Sequence, residues 1–201
     1  MSSLKLKHSG GNSVIIAAPS SNPAADRTIT CPDLTANAVM ATTNGITEFD
    51  QWYITDASWT TNNANLTSWS RFTQANVSAA SPLGTGMSHS SGTFTFPSTG
   101  KYLVILNAEF ILVQNDNVLI DTNVTIDNST YVPYAHAKDG NSASNSSAGS
   151  GASFAFIDVT NTSNVKVQFY AKSINSGSQV SGYDASNGIG TSALFIRIGD
   201  T

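Results

Sequence analysis

The segment from Ser91 to Phe110, SGTFTFPSTGKYLVILNAEF, constrains the fold more than any other part of the chain. It reads as a short strand with Phe94 and Phe96 on one face, then a Pro97-Ser98-Thr99-Gly100 turn, then a long strand. Tyr102, Val104, Leu106, Ala108 and Phe110 point to one side of the long strand. Leu103 and Ile105 point to the other, before Asn107 and Glu109 intervene. An antiparallel strand with one solvated face alternates cleanly between apolar and polar residues. A strand that is apolar on both faces has to be covered twice, by its own core and by something else. The chain has almost no helical pattern, so the second cover is predicted to be another copy of the same subunit.

Ala193-Leu194-Phe195-Ile196-Arg197-Ile198 has the same character, apolar on both faces apart from Arg197. Further strands are predicted at Phe49–Thr55, Trp69–Thr73, Gly92–Phe96, Val118–Ile126, Ser153–Val159 and Val165–Lys172. In the last of these, Val165, Val167, Phe169 and Ala171 alternate with Lys166, Gln168, Tyr170 and Lys172, which is a half-buried strand with a wet face. Val118, Ile120, Val124 and Ile126 alternate in the same way with Asp121, Asn123 and Asp127. The Ser/Asn/Gly-rich stretch Ala135–Gly151 reads as an exposed loop. Consecutive strands without intervening helices predict an all-β, jelly-roll β-sandwich with the doubly apolar strands in an inner sheet. Leu103, Ile105, Phe110, Leu194, Phe195 and Ile196 are the candidate inner-sheet and subunit-interface residues. For Phe110, Phe169 and Phe195 the alternatives are the subunit's own core and packing between subunits. A fully buried Phe contributes about 1.5–3 kcal/mol in either place.

The length of 201 residues allows one sizeable domain with a short appendage, and the pattern divides accordingly. Residues 1–44 read as an irregular N-terminal docking arm, and residues 45–201 as the jelly-roll domain. In the arm, Leu4–Lys7 alternates, Ser9-Gly10-Gly11-Asn12 is a strong turn signal and Ser13–Ala18 is a second short strand. Such a hairpin is marginal alone in water and is expected to dock on something. Pro19, Pro23 and Pro32 interrupt the remainder of the arm, with Thr28–Cys31 as one further short strand. Lys5, Lys7, His8 and Arg27 form the one local basic excess in a chain of net charge −4. They suit either an acidic docking groove or a solvated strand face.

Only 11% of residues are charged, against about a quarter in typical domains, and Ser, Thr, Asn and Gly make up the balance. Without a basic footprint, nucleic acid is not an expected partner. No run is long enough for a membrane-spanning helix, and the N-terminus lacks the continuous apolar stretch of a secretion signal. The expectation is a protein made in the cytoplasm and not inserted in a membrane. Cys31 is the one cysteine and reads as a small apolar residue.

His8, His89 and His136 each lie in Ser-rich sequence without a nucleophile-elbow motif. Asp116, Asp121 and Asp127 could suggest calcium, but their alternation along a predicted strand favours solvated acids. Trp52, Trp59 and Trp69, with Tyr53, could form a sugar platform, but their placement around strands favours packing. There is no Gly-rich phosphate loop and no pair of acids at a defined motif. The sequence therefore assigns no catalytic residue, metal site or cofactor, and the expectation is a protein that is not an enzyme.

Gly92-Thr93-Phe94-Thr95-Phe96-Pro97-Ser98-Thr99-Gly100-Lys101-Tyr102 resembles the G-x-F-x-x-P-x-x-G-x-Y signature of the tumour-necrosis-factor and complement globular-head superfamily. Four other segments resemble virion proteins of tailed phages of marine bacteria and cyanobacteria. They are Leu4–Ser13, Phe49–Trp52, Leu83–Ser88 and Phe195–Thr201, which together span nearly the whole chain. The superfamily resemblance implies a jelly roll assembled as a tight homotrimer. The second implies a structural, fibre-like virion protein. Its expected partners are other virion proteins, either a tail adaptor or portal or the capsid, together with a host surface glycan or protein touched by distal loops such as Ser142–Gly151 and Val180–Gly190. The alternative is a capsid decoration, head fibre or connector without receptor binding. Unlike many fibre proteins, this chain has no long shaft.

Overall fold

The computed structural model describes residues 3–7, 10, 13–17, 46–72, 82–175, 177–186 and 188–201. The chain divides into two compact units, Met1–Thr42 and Thr43–Thr201. In the first, β1 (Ser3–Lys7) pairs antiparallel with β2 (Ser13–Ala17), so Lys5 stands opposite Ile15 and Lys7 opposite Ser13. His8, Arg27, Cys31 and the expected strand Thr28–Cys31 lie outside the described residues.

The second unit is built from strands alone among the described residues. Its first half holds β3 (Phe49–Ile54), β4 (Ser58–Trp59), β5 (Ala64–Asn65), β6 (Trp69–Arg71), β7 (Ser88–Ser90) and β8 (Thr93–Thr95). The long strands come next: β9 (Gly100–Leu112), β10 (Asp116–Thr125), β11 (Val132–Asn141), β12 (Ser147–Val159) and β13 (Lys166–Lys172). The chain ends with β14 (Gln179–Ser181), β15 (Tyr183–Asp184), β16 (Gly188–Ile189) and β17 (Ser192–Gly199). All eight strands anticipated from the pattern are present, with ends displaced by a few residues.

Two antiparallel sheets face each other. One runs β11-β10-β13-β8-β7, with β5 added beside β13. The other is centred on β9. The strand β12 runs along one edge of β9 over its full length, while β17 and then β14 occupy the opposite edge. Beyond β17 come β3 and β6. Phe94, Phe96, Tyr102, Phe110, Phe169, Phe195, Trp52 and Trp69 are buried between the sheets. Phe94 is the hub of this cluster, with edge-on or tilted rings of Trp52, Trp69, Phe169 and Phe195 at 4.9–5.7 Å. Offset and edge geometries of this kind suit the aromatic quadrupole. The result is an all-β jelly roll, as the strand pattern predicted.

Three sequence expectations are corrected. Ala135–Gly151 is not an exposed loop, because β11 and the first half of β12 occupy most of it. Its composition reflects crowding. A Cβ on Gly151 would lie 2.8 Å from the Lys138 nitrogen, and one on Gly149 would collide with the Asp139 carboxylate. Side chains are excluded where β12 passes β11, so the strand is built from small residues that lack β propensity. Secondly, the polar face of β10 is not wet. Asp121, Asn123 and Thr125 are buried, and Lys172 on β13 forms an ion pair with Asp121. Thirdly, the side chains of Phe110 and Phe195 do not reach the outer surface of their sheet. Both are fully buried in the subunit core, as is Phe169.

Candidate functional site

The described surface is most distinctive on the outer side of the β9 sheet. Residues directly opposed in an antiparallel ladder share a face, so the pairing registers assemble this surface without further assumption. Phe156 stands opposite Leu103, Leu103 opposite Ile196, and Ile196 opposite Phe49. One step along, Phe154 stands opposite Ile105, Ile105 opposite Leu194, and Leu194 opposite Gln51. One row of large apolar side chains therefore crosses β12, β9, β17 and β3, and a second crosses β12, β9 and β17 and ends at Gln51. Tyr102, Val104, Ala193 and Phe195, at the intervening positions, are turned into the core.

Phe154 is 63% exposed and Phe156 54%, while Leu103, Ile105, Leu194, Ile196 and Phe49 are half-buried. Monomeric surfaces rarely carry a contiguous apolar patch four strands wide. At one end the patch is closed by the ion pair of Lys101 with Asp158 at 3.2 Å. At the other, Tyr53 is packed beneath the rings of Phe72 and Tyr183, 5.0 and 5.7 Å away. Of the six residues singled out from the sequence, Leu103, Ile105, Leu194 and Ile196 come together here, whereas Phe110 and Phe195 lie behind them in the core. Phe154 and Phe156 were missed. The clean alternation of Phe154 and Phe156 with Ala155 and Ile157 carried a signal: the aromatics occupy the face that ordinary patterning reserves for polar residues.

The groups weighed for chemistry have structural occupations. Asp116 accepts hydrogen bonds from the Asn175 side chain and the Asn117 backbone. Asp127 accepts backbone N–H groups of Ser129 and Thr130 at 2.9 and 2.7 Å and the Thr125 hydroxyl at 2.8 Å. These donors hold its carboxyl far below the usual carboxylate range. His89 lies against Phe94 and Trp52, with ring centres 4.8 and 5.7 Å away, and its Nε2 accepts the Gly92 N–H at 3.0 Å. Burial pulls its pKa below the ordinary 6.5. Trp52 and Trp69 are core residues, and Trp59 is packed against the core with its indole N–H on the Thr61 carbonyl. Among the described residues, no three His, Cys, Asp or Glu side chains are placed to hold a metal ion together. No described helix is long and apolar enough to cross a membrane.

This is the jelly roll of the tumour-necrosis-factor type. Murine APRIL at pH 5.0 is similar over 75% of this chain and 98% of its own, with 10% identity and a TM-score of 0.54. An Eiger TNF from S. frugiperda is similar over 76% of this chain and 93% of its own, with 11% identity and a TM-score of 0.54. At such identities the likeness shows the fold. No family model and no curated protein sequence matches the chain.

Proposed function

We propose that this protein is a non-enzymatic structural module that works as a homotrimer, a fibre-like component of a tailed-phage particle. The observation that carries the assembly is the two-row apolar surface spanning β12, β9, β17 and β3. Left in water, those side chains would forgo about 25 cal/mol for every Å² of apolar area that a second copy would cover. The tumour-necrosis-factor-type fold is compatible with a trimer. The virion role rests on the resemblance of the N-terminal, central and C-terminal segments to phage fibre-like proteins.

In this reading the arm, with Lys5, Lys7, His8 and Arg27, joins the trimer to an acidic surface on a neighbouring virion protein. Gold-labelled antibody microscopy on particles of the source phage tests the location. Label at the tail supports a fibre role with distal loops toward the host, and label over the head favours the decoration alternative. Clean particles with an antibody that recognises the purified chain would end the virion reading. Assembly is tested separately by light scattering. The full chain is expected at three chain masses and the Ile105→Asp variant at one; an unchanged mass in the variant would remove the face from the interface.

A further inference from the structure

Beyond the apolar rows, the outer face of the β9 sheet turns polar. Ser58 on β4 stands opposite Ser181 on β14, and Ser181 opposite Glu109 on β9, so the three share one face. Their neighbours Val180 and Phe110 are fully buried on the other. The row borders a cavity of about 170 Å³, which Gln179 and, from the β15–β16 ribbon, Asp184 also line. Glycine makes the space. A Cβ on Gly190 would lie 3.1 Å from the Ser181 Cβ and 3.2 Å from the Glu109 Cβ, so a side chain there would intrude on the row. The N–H groups of Gly182 and Gly190 are already given to the carbonyls of Ala57 and Gly182, at 3.3 and 3.1 Å. Ser181 is only 8% exposed, yet its hydroxyl has no hydrogen-bond partner among the described residues. Glu109 is half-buried, and among the described residues its carboxylate has neither an ion pair nor a hydrogen bond. Asp184, also half-buried, accepts the Ser186 N–H at 2.6 Å. None of the described residues lining the cavity is Lys, Arg or His.

We infer that this cavity is a binding site for a guanidinium group, that of an arginine side chain presented by another protein. A polar side chain buried without a partner calls for one from outside, and Ser181 is such a side chain. Glu109 and Asp184 bring two negative charges to a recess that holds no cation of its own, so it attracts cations and repels acidic ligands. Its volume falls below the roughly 300–1,000 Å³ of pockets that enclose drug-sized molecules, which restricts the occupant to one compact group. The lining is mostly acceptor: two carboxylates, two hydroxyls and the Gln179 carbonyl. A guanidinium is the complement of that lining, with five N–H donors in one plane and no acceptor. Two of its donors can meet a carboxylate in parallel, which leaves others for the Ser181 hydroxyl and the second acid. A lysine ammonium offers a point charge without that fork. A sugar ring would find no aromatic face in the lining.

The inference rests on the fibre reading in taking residues 179–190 as part of a surface that meets a partner, and it assigns that partner to protein and not to glycan. Its test needs no particle. The full chain is labelled with nitrogen-15 in glycine alone, so that Gly182, Gly188 and Gly190 report on the cavity by NMR. The probe is N-acetylarginine methylamide, and its citrulline counterpart has the same shape without the charge. The arginine probe is expected to shift those three signals saturably, and the citrulline probe to leave them in place. Glu109→Gln is expected to weaken binding about tenfold. Asp184→Asn, which keeps an acceptor for the Ser186 N–H, is expected to weaken it in the same direction. Unmoved signals from the other glycines show that both variants keep the fold. An equal response to the citrulline probe or to the lysine counterpart would overturn the inference, as would unchanged binding in Glu109→Gln. Shifts with galactose or N-acetylglucosamine but not with the arginine probe would overturn it in favour of a glycan, and saturation by calcium chloride alone in favour of a metal ion. Silence at the three glycines in a protein of three chain masses would remove the site and leave the trimer. Binding of the arginine probe by a chain that is absent from the particles would keep the site and end the virion reading alone.

Discussion

Asp50 accepts hydrogen bonds from three separate elements although it is almost wholly buried. The Trp52 indole N–H reaches it at 2.9 Å, the Arg71 Nε at 3.0 Å and the Met87 backbone N–H at 2.7 Å. Arg71 also donates to the Met87 carbonyl and lies 4.8 Å above the Trp52 ring. A carboxylate and a guanidinium thereby fasten the segment before β7 onto β3. Asp50→Ala is expected to lower folding stability by about 3 kcal/mol, because it leaves the cation and two buried N–H groups without their acceptor. Urea denaturation measures it. His89 supplies a pH dependence of definite sign. Its folded-state pKa is depressed, so its burial is without penalty above the unfolded value of about 6.5. Below that, the unfolded chain binds the proton more readily, and stability falls as the pH drops through the depressed folded value. Between pH 7 and 5 the wild type is expected to lose stability more steeply than His89→Gln, which keeps an acceptor for the Gly92 N–H. Parallel curves would show that His89 does not titrate in this window.

At the scale of the strand, β9 and β12 show two solutions to double coverage. The inward side chains of β9 fill the core, and its outward Leu103 and Ile105 are flanked by Phe154, Phe156, Leu194 and Ile196 from the adjoining strands. The first half of β12 gives up side chains so that it can pass β11. Gly151→Ala places a methyl 2.8–2.9 Å from the Lys138 backbone. It is expected to cost about 1–3 kcal/mol, since a backbone in a paired strand yields less readily than a side chain. A thermal melt reads this, and an unchanged midpoint would mean that β11 gives way freely. β10, by contrast, is buried on both sides along its second half, and its pairing with β11 shifts register between Thr122 and Asn123, where Tyr134 of β11 is the extra residue. Thr122 there shares a 2.9 Å hydrogen bond with Ser153 across the two sheets, which satisfies two hydroxyls inside an otherwise apolar core.

For the whole molecule, the core of the jelly-roll unit, among the described residues, is a single cluster of buried aromatic and aliphatic side chains running from Trp52 to Phe195. In the reading proposed above, deleting residues 1–44 is expected to leave the number of chains in the oligomer and the thermal midpoint of the domain unchanged while abolishing incorporation into particles. Aggregation of the truncated protein would instead assign the arm to the fold. The same separation of roles predicts that Ile105→Asp acts on mass and not on secondary structure, since its side chain lies on the far side of the sheet from the core.

The alternation of residues by itself determined the all-β class, the places of the main strands and the doubly apolar character of β9 and β17, because side-chain direction in a strand follows sequence parity. It also located four of the apolar-face residues, Leu103, Ile105, Leu194 and Ile196. Parity cannot say which of two apolar faces is the core, and for Phe110 and Phe195 only the stacking of the two sheets decided it. Nor does composition reveal that a Ser/Gly-rich stretch is a strand when the reason is another backbone 2.8 Å from a missing Cβ. The cavity at Glu109 joins β4, β9, β14 and the β15–β16 ribbon, and it exists only where the four meet. Local pattern fixes directions along one strand. Proximity between strands distant in sequence belongs to the tertiary fold.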